Sequence, residues 1–411
     1  MKKILFLLDE LPPTKSANGI CVSKVIESLN SDGYETSCIC WKANGQYLSE
    51  IHLIPEKPWK QKVDRFSTGG TIEKAWFQIL RVAYKVKRIF LLPIWPVDSC
   101  KTARNFYATA SNLIDGGNIA AVVAVNYPGE TLLAMKWLKK KYGDKIKTVM
   151  YPLDVSYVNP YCGKIERAVS SHLCPRFMRS CSRYADMLLE LENAQDMYNA
   201  VYTEKEQLNF KLCGIPLLEQ ISKVEEKAPS NEVHFIYTGT LQRNIRDPEM
   251  AFSVLHSIAM LSNKKVVLDL YGQIDSQSRS LYDNGKFKFE FINHGWIVES
   301  ELVSLLRKSD VLISLGNLES HLIPSKLFKY MSTGKPIMHF CLTENDPCID
   351  YLIKYGNARI IHSGTIYDDN NLNDVVKFVE NGTVIDRNLK NTFPKCFPEY
   401  TANLLKEELI D

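Results

Sequence analysis

A lysine stands at the start of a helix, where the helix's own electrostatics disfavour it. In the stretch SDVLISLGNLESHLIPSKLFKYMSTGKPIMHF (residues 309–340) an apolar strand ends at Leu315. A polar loop then carries Glu319 and His321, and a helix is predicted to open near Pro324. Backbone N–H groups around Ser325, Lys326 and Leu327 lack an intrahelical acceptor at such a start. Together with the helix dipole they make a site for an anion. A cation in the first turn opposes that dipole, so Lys326 is well placed there when an anion lies between them. An ordinary solvated lysine meets the same spacing. The segment YTGTLQRNIRDP (237–248) adds a second cluster. Gly239 follows a strand and permits a sharp turn with close ligand approach. Arg243 and Arg246 project from the loop beyond it, and guanidinium forks suit phosphate oxygens. Either arginine could instead pair with Asp247 or Glu249. The chemistry within reach of these residues is the binding of a phosphate or diphosphate.

The elements that must position them alternate between strand and helix along the whole chain, the pattern of doubly wound parallel sheets. Residues 4–8 form a continuous apolar run, as a strand covered on both faces would. A polar turn at Asn18-Gly19 follows, then a helix with Ile20, Val25, Ile26 and Leu29 on one face, and a strand at 36–41. Further strands are predicted at 120–125, 148–153 and 187–191, with a helix over 129–142 and a break or kink at Pro175 in the helical region 165–182. A polar connection near 219–232 separates the halves. Beyond it, strands are predicted at 234–237, 266–271, 289–292, 311–315, 337–340 and 358–361. Asp247-Pro248 opens a helix that runs to Leu261. The expected fold class is α/β: two Rossmann-like domains facing each other across a ligand cleft at their strand ends. The expected domains are 1–222, 223–390 and a terminal helix in 391–411 that returns to the first.

Composition narrows the function classes. The 411 residues carry 50 Lys and Arg against 47 Asp and Glu, a net +3 that does not mark a nucleic-acid binder. The opening MKKILFLLDELPP superficially resembles a signal peptide, but its apolar run is short and meets Asp9 and Glu10. No apolar stretch approaches the roughly 20 residues of a membrane span. The 11 cysteines are odd in number and scattered, unlike a disulfide framework. Cys38 and Cys40 read as buried thiols rather than zinc ligands. The expected compartment is the reducing cytoplasm. Asp368-Asp369 reads as a solvated turn, and no metal site or cofactor is expected.

With these segments in view, the chain resembles the GT-B glycosyltransferases, and within them the retaining family 4 group of cell-surface polysaccharide transferases. The resemblance is most specific over 233–342. It rests on the Gly239-Thr240 turn with Arg243, on Gly295 in INHGWIV, on SDVLISL and on IPSKLFKYMSTGKPI. It implies that Arg243 and Lys326 neutralise the diphosphate of a nucleotide-sugar donor, with Pro324 in the same turn. It implies that amides near Ser325 and Leu327 hydrogen-bond the phosphates, and that Gly295, Trp296 and Ile297 hold the base. The family usually has two glutamates eight residues apart, near the transferred sugar and the ribose. Here those positions are His321 and Lys329, with Glu319 two residues before the first. Lysine can donate to ribose hydroxyls but cannot accept from them. No strong nucleophile and no metal is required, because stabilising the leaving diphosphate carries the catalysis.

The first half should then bind the acceptor, a glycan or a lipid-linked one. Asn18, Gly19, Asn126 and Asp154 lie at predicted strand ends, although Asp154 also suits a plain turn. Residues 55–105 hold 11 Lys or Arg against four Asp or Glu, interleaved with Trp59, Trp76, Phe77, Tyr84, Phe90 and Trp95. Such a mixture suits the surface of an anionic membrane, with 74–95 as the contact, and equally suits an ordinary helix of the fold. The function expected is transfer of a sugar from a nucleotide diphosphate, with retention and without metal, in surface polysaccharide or glycolipid synthesis. It would take place in the cytoplasm, peripheral at the inner face of the membrane. The alternatives are a non-catalytic sugar-nucleotide-binding protein and a sugar-nucleotide epimerase.

Overall fold

A computed structural model describes the chain except residues 1–2, 15, 57–75, 77–78, 81, 84–85, 87–93, 154–163, 203–207, 221–229, 319–322, 364–368, 386 and 410–411. It divides into two compact units, one made of Met1–Pro216 with Pro398–Asp411, the other of Leu217–Phe397.

In the first unit the strands are β1 (Lys3–Leu7), β2 (Thr36–Cys40), β3 (Glu50–Leu53), β4 (Ile119–Asn126), β5 (Lys147–Pro152), β6 (Met187–Leu191) and β7 (Phe210–Cys213). They lie side by side in the order β3-β2-β1-β4-β5-β6-β7 and every pairing is parallel. The second unit holds β8 (Glu232–Leu241), β9 (Lys265–Ile274), β10 (Glu290–Gly295), β11 (Val311–Leu315), β12 (Ile337–Cys341) and β13 (Ala358–His362). Their order, β10-β9-β8-β11-β12-β13, is again all parallel. Each sheet therefore reverses its winding once, between β1 and β4 and between β8 and β11. Open α/β sheets bind ligands outside the carboxyl ends of the strands at such a point.

Parallel strands covered on both faces must be apolar throughout. Ile4, Leu5, Phe6 and Leu7 are all fully buried, as are Val122 to Val125. In the second unit Val233, Phe235 and Tyr237 point into a core with Phe252, Leu255, Leu268, Leu270, Ile313 and Phe340. Each such side chain contributes about 1.5–3 kcal/mol when fully buried. The intervening residues His234, Ile236 and Thr238 must face the other side of the sheet.

Several local expectations change. Asn18-Gly19 is not a turn before a helix but the first turn of one, since the helix Ala17–Ser31 starts where the Ser16 hydroxyl accepts the Gly19 N–H at 3.1 Å. Pro175 does not break its helix, which runs as Lys164–Ser182. Strands β3 (EIHL) and β7 (FKLC), at the sheet edges, lie outside the predicted set. Their few residues mix polar with apolar, because edge strands need not be buried on all sides. The helix Pro398–Leu409 packs with the first unit, with Lys406 paired to Asp32 at 2.6 Å.

Candidate functional site

The switch point of the second unit brings Gly239 and Lys326 together. Strand β8 does not end before Gly239, as the sequence suggested, but runs through it to Leu241, with Gly239 paired to Gly272 of β9; its φ of +109° is costly for any other residue. A Cβ on Gly239 would lie 3.0 Å from Lys326 Nζ, so the absent side chain is the space the ammonium occupies. Gly272 on β9 plays a matching part, because a Cβ there would meet the Gly239 carbonyl oxygen at 1.9 Å. Lys326 begins the short helix Lys326–Met331. Its Nζ donates to the Thr238 carbonyl at 2.5 Å and lies 3.7 Å from the centre of the Tyr237 ring. Tyr330, one turn on, joins the two elements: its hydroxyl accepts the Thr238 N–H at 2.9 Å and meets the Thr238 hydroxyl at 2.9 Å.

Two cations share this place. Burial, and then the nearby charge of Arg246, pull the Lys326 amine well below the usual lysine range. Arg246 is held by its Nε, which donates to Asn317 Oδ1 at 2.8 Å in the loop after β11. Among the described residues neither Lys326 nor Arg246 has an ion pair with a carboxylate. The sequence paired Lys326 with Arg243, and here the structure differs. Arg243 Nε lies 3.3 Å from Asp247 and its NH2 lies 2.5 Å from Glu249. It lines a separate surface pocket with Ser276, Gln277, Ser280 and Asn284. The backbone explains the divergence: Arg243 N–H is tied to Asp275 Oδ2 at 3.1 Å, and the 242–246 turn sends the two side chains apart.

The amides also divide. The Leu327 N–H is not free for an anion, because it closes a turn onto the Pro324 carbonyl at 2.9 Å, and its side chain is fully buried. Ser325 is partly exposed beside Lys326, and Lys329 is partly exposed on the same helix. Thr240 is the next residue of β8, its carbonyl accepting the Tyr237 hydroxyl at 3.1 Å. Gly295 ends β10 with φ of +75°, Trp296 beyond it is 51% exposed, and Ile297 is partly buried. Glu319 and His321 lie outside the described residues.

Beside Gly239 is a planar surface that sequence reasoning missed. Tyr271, the register partner of Thr238, stacks on His294 with ring centres 4.4 Å apart and planes 6° from parallel. His294 Nε2 meets Asp269 Oδ1 at 2.7 Å, and the other Asp269 oxygen meets His234 Nδ1 at 2.7 Å. The signal was present as His234, Asp269 and Tyr271 on strands otherwise filled by apolar residues. Only the register reveals that they meet.

In the first unit the switch point is acidic. Asp9 and Glu10 follow β1 after Leu8. Asp9 Oδ2 accepts the Ser16 hydroxyl at 2.6 Å, and Glu10 accepts from Thr14 at 2.6 Å and Trp41 at 3.4 Å. Burial raises the Asp9 carboxyl to about 6, partly offset by the Ser16 bond. Gly19 sits under this pair, since a Cβ would lie 2.1 Å from the Glu10 carbonyl oxygen. Asn18 is 7% exposed, and Asn126 at the end of β4 is fully buried. Asp154 lies outside the described residues. Among those described, one group of metal-capable donors lies within 4.8 Å, the buried His339, Cys341 and Asp346. Its imidazole and carboxylate are hydrogen-bonded to each other at 3.0 Å.

No family model matches the sequence, and no curated protein matches it. Solved structures do match, over nearly the full length. A lipopolysaccharide outer core galactosyltransferase, WaaB, aligns at TM-score 0.55 and 14% identity over 99% of this chain and 98% of its own. WaaG, a glycosyltransferase involved in lipopolysaccharide biosynthesis, aligns at 0.57 and 13% over 98% and 99%. TarM aligns at 0.57 and 8% over 100% and 95%. At such identities the likeness establishes the fold: the chain has the GT-B fold, with two Rossmann-like units.

Proposed function

We propose that this protein is a glycosyltransferase that takes a sugar from a nucleoside-diphosphate donor bound at the second unit's switch point. The observation that carries the reading is the cation pair Lys326 and Arg246 beside Gly239, without a carboxylate partner among the described residues. Two close positive groups of this kind disfavour each other, and a diphosphate would relieve that cost. Charge develops on the leaving diphosphate as the bond to the sugar breaks, and fixed cations at that position stabilise it more in the transition state than before. Lys326 and Arg246 would do this work, with Ser325 hydrogen-bonding the phosphates. The base would lie by Gly295, Trp296 and Ile297, within reach of the Tyr271–His294 stack. Lys329 would donate to the ribose, and Glu319 and His321 would stand near the transferred sugar. Arg243 would serve only if its pairing with Asp247 and Glu249 opened.

Retention and independence from metal belong to the proposal. The two cations supply the charge that a divalent ion supplies elsewhere. The acceptor, a glycan or a lipid-linked one in surface polysaccharide or glycolipid synthesis, would enter at the first unit, near Asn18 and Gly19. Membrane attachment from the cytoplasmic side is supported by four apolar side chains at helical spacing in the sequence, Trp76, Ile79, Val82 and Val86, with 53%, 58%, 62% and 48% exposure. No helix among the described residues is long and apolar enough to cross a membrane.

The test is nucleoside-diphosphate release from a panel of nucleotide sugars, with and without acceptor extract and with chelator, followed by the anomeric configuration of the product. Release that depends on extract and survives chelation supports the proposal. Donor binding without release under any condition would favour a non-catalytic binding protein. Interconversion of the donor sugar would favour an epimerase. Co-sedimentation with anionic vesicles, compared with a Trp76→Ala/Ile79→Ser variant, tests the membrane contact.

A further inference from the structure

Behind the cation pair lies a buried hydrogen-bonded chain that the reading above leaves unused. His339 on β12 is completely buried and both its ring nitrogens are engaged, Nδ1 with the Ser314 hydroxyl of β11 at 3.0 Å and Nε2 with Asp346 Oδ2 at 3.0 Å. The other Asp346 oxygen accepts the Cys348 N–H at 2.9 Å. Burial alone would raise this carboxyl, but the His339 bond and charge and the Cys348 amide hold it below the usual range. Packing a parallel sheet does not call for such a group. Apolar residues of the same volume would fill the space without the desolvation cost of a buried pair.

Its neighbours give it a purpose. Asp346 Oδ2 presses on Gly316, where a Cβ would lie 2.1 Å away. The Gly316 N–H is tied to the Phe340 carbonyl at 2.9 Å, one residue from His339. The next residue, Asn317, accepts Arg246 Nε at 2.8 Å, and the Leu318 N–H donates to the Ile245 carbonyl at 2.9 Å. An unbroken set of contacts thus runs from Ser314, His339 and Asp346, through the loop 316–318, to Arg246 beside Lys326. All of it lies within the second unit.

We propose that His339 and Asp346 are positioning residues for the donor site, clamping the loop 316–318 so that Asn317 holds the Arg246 guanidinium toward the diphosphate. This rests on the donor-site reading above. Gly316 is part of the device, since only a residue without a side chain lets the carboxylate bear directly on the loop. Asp346 and His339 would act through the loop and not on the substrate itself.

The experiment is a double-mutant cycle on nucleoside-diphosphate affinity, measured by calorimetry with the tightest of UDP, GDP, ADP and CDP. Asp346→Asn and His339→Leu should each weaken binding about tenfold, and Arg246→Ala/Asp346→Asn should bind no more weakly than Arg246→Ala alone. His339→Gln, which keeps a donor toward Asp346, should stay within about threefold of wild type. A loss in Asp346→Asn that adds in full to that of Arg246→Ala would overturn the proposal, because a general loosening of the unit needs no Arg246. So would affinities within twofold in both Asp346→Asn and His339→Leu. If those variants do not fold, Ser314→Ala removes only the outer bond and enters the same cycle. A wild-type protein that binds none of the four nucleotides would defeat the donor-site reading itself. Binding that ignores Asp346 and His339 would defeat only the positioning role.

Discussion

Strands β1 and β8 occupy the same place in their two sheets, and the chain puts opposite charges at their carboxyl ends. After β1 come Asp9 and Glu10. Around the end of β8 stand Arg246 and Lys326. In both places burial pushes a charged group toward neutrality, raising Asp9 to about 6 and pulling Lys326 well below the usual lysine range. Topology is the same, so topology cannot distinguish the two places; the local charge can. A phosphate would be repelled at the first switch point and drawn to the second. What suits the first is a hydroxyl, which can donate to a carboxylate.

The largest expected effect comes from removing the centre of the cationic side. Lys326→Ala should lower donor turnover about a hundredfold to a thousandfold, the range for a lost donor to a developing anion. Steady-state rates of nucleoside-diphosphate release would show it, and turnover near wild type would end the comparison. Next come the arginines. Arg246→Ala should weaken nucleoside-diphosphate binding about tenfold or more. Arg243→Ala should change it by less than about threefold, since that side chain is spent on surface ion pairs. The reverse order would return the role to Arg243.

A smaller effect separates the two sides by pH. Lys326 has a folded-state value below its unfolded one, so between the two the unfolded chain binds more protons and stability rises with pH. A bound diphosphate favours the charged amine, so binding takes up a proton there, and affinity should fall as pH rises through the free-protein value, by at most tenfold per unit. Calorimetry in buffers of different ionisation enthalpy would detect the proton, and Lys326→Met should abolish it. The smallest effect is on the acidic side. Asp9 is raised from 3.8 to about 6, so the native state binds more protons across that window and stability falls as pH rises through it. Asp9→Asn should therefore raise the melting temperature by about 2–4 °C above pH 7 and leave it unchanged near pH 4. Equal shifts at both values would show that Asp9 charge is not the cause.

The sheets were legible because a strand covered on both faces announces itself as an unbroken apolar run. The edge strands β3 and β7 were not, since four residues mixing polar with apolar carry too little pattern, whereas the longer edge strands β10 and β13 were. At the site, Gly239 and Lys326 could be named from the sequence, each marked by a local oddity: a glycine read as following a strand, although β8 runs through it, and a cation at a helix start. The choice between Arg243 and Arg246 could not, because three residues in a turn fix opposite directions and the deciding contacts, Asp275 and Asn317, lie far along the chain. Asp9 was passed over as the end of an apolar run, and its burial under Gly19 and Ser16 exists only in the fold.

The return of the helix Pro398–Leu409 to the first unit has a consequence for biosynthesis. The second unit is one continuous stretch of chain, whereas the first is interrupted by it. The helix Pro398–Leu409 is made after every other element and covers the helix Ala17–Ser31, so the first unit, though begun first, is not complete until that helix is free. A released chain truncated after residue 397 would keep every segment of the second unit and leave the helix Ala17–Ser31 uncovered.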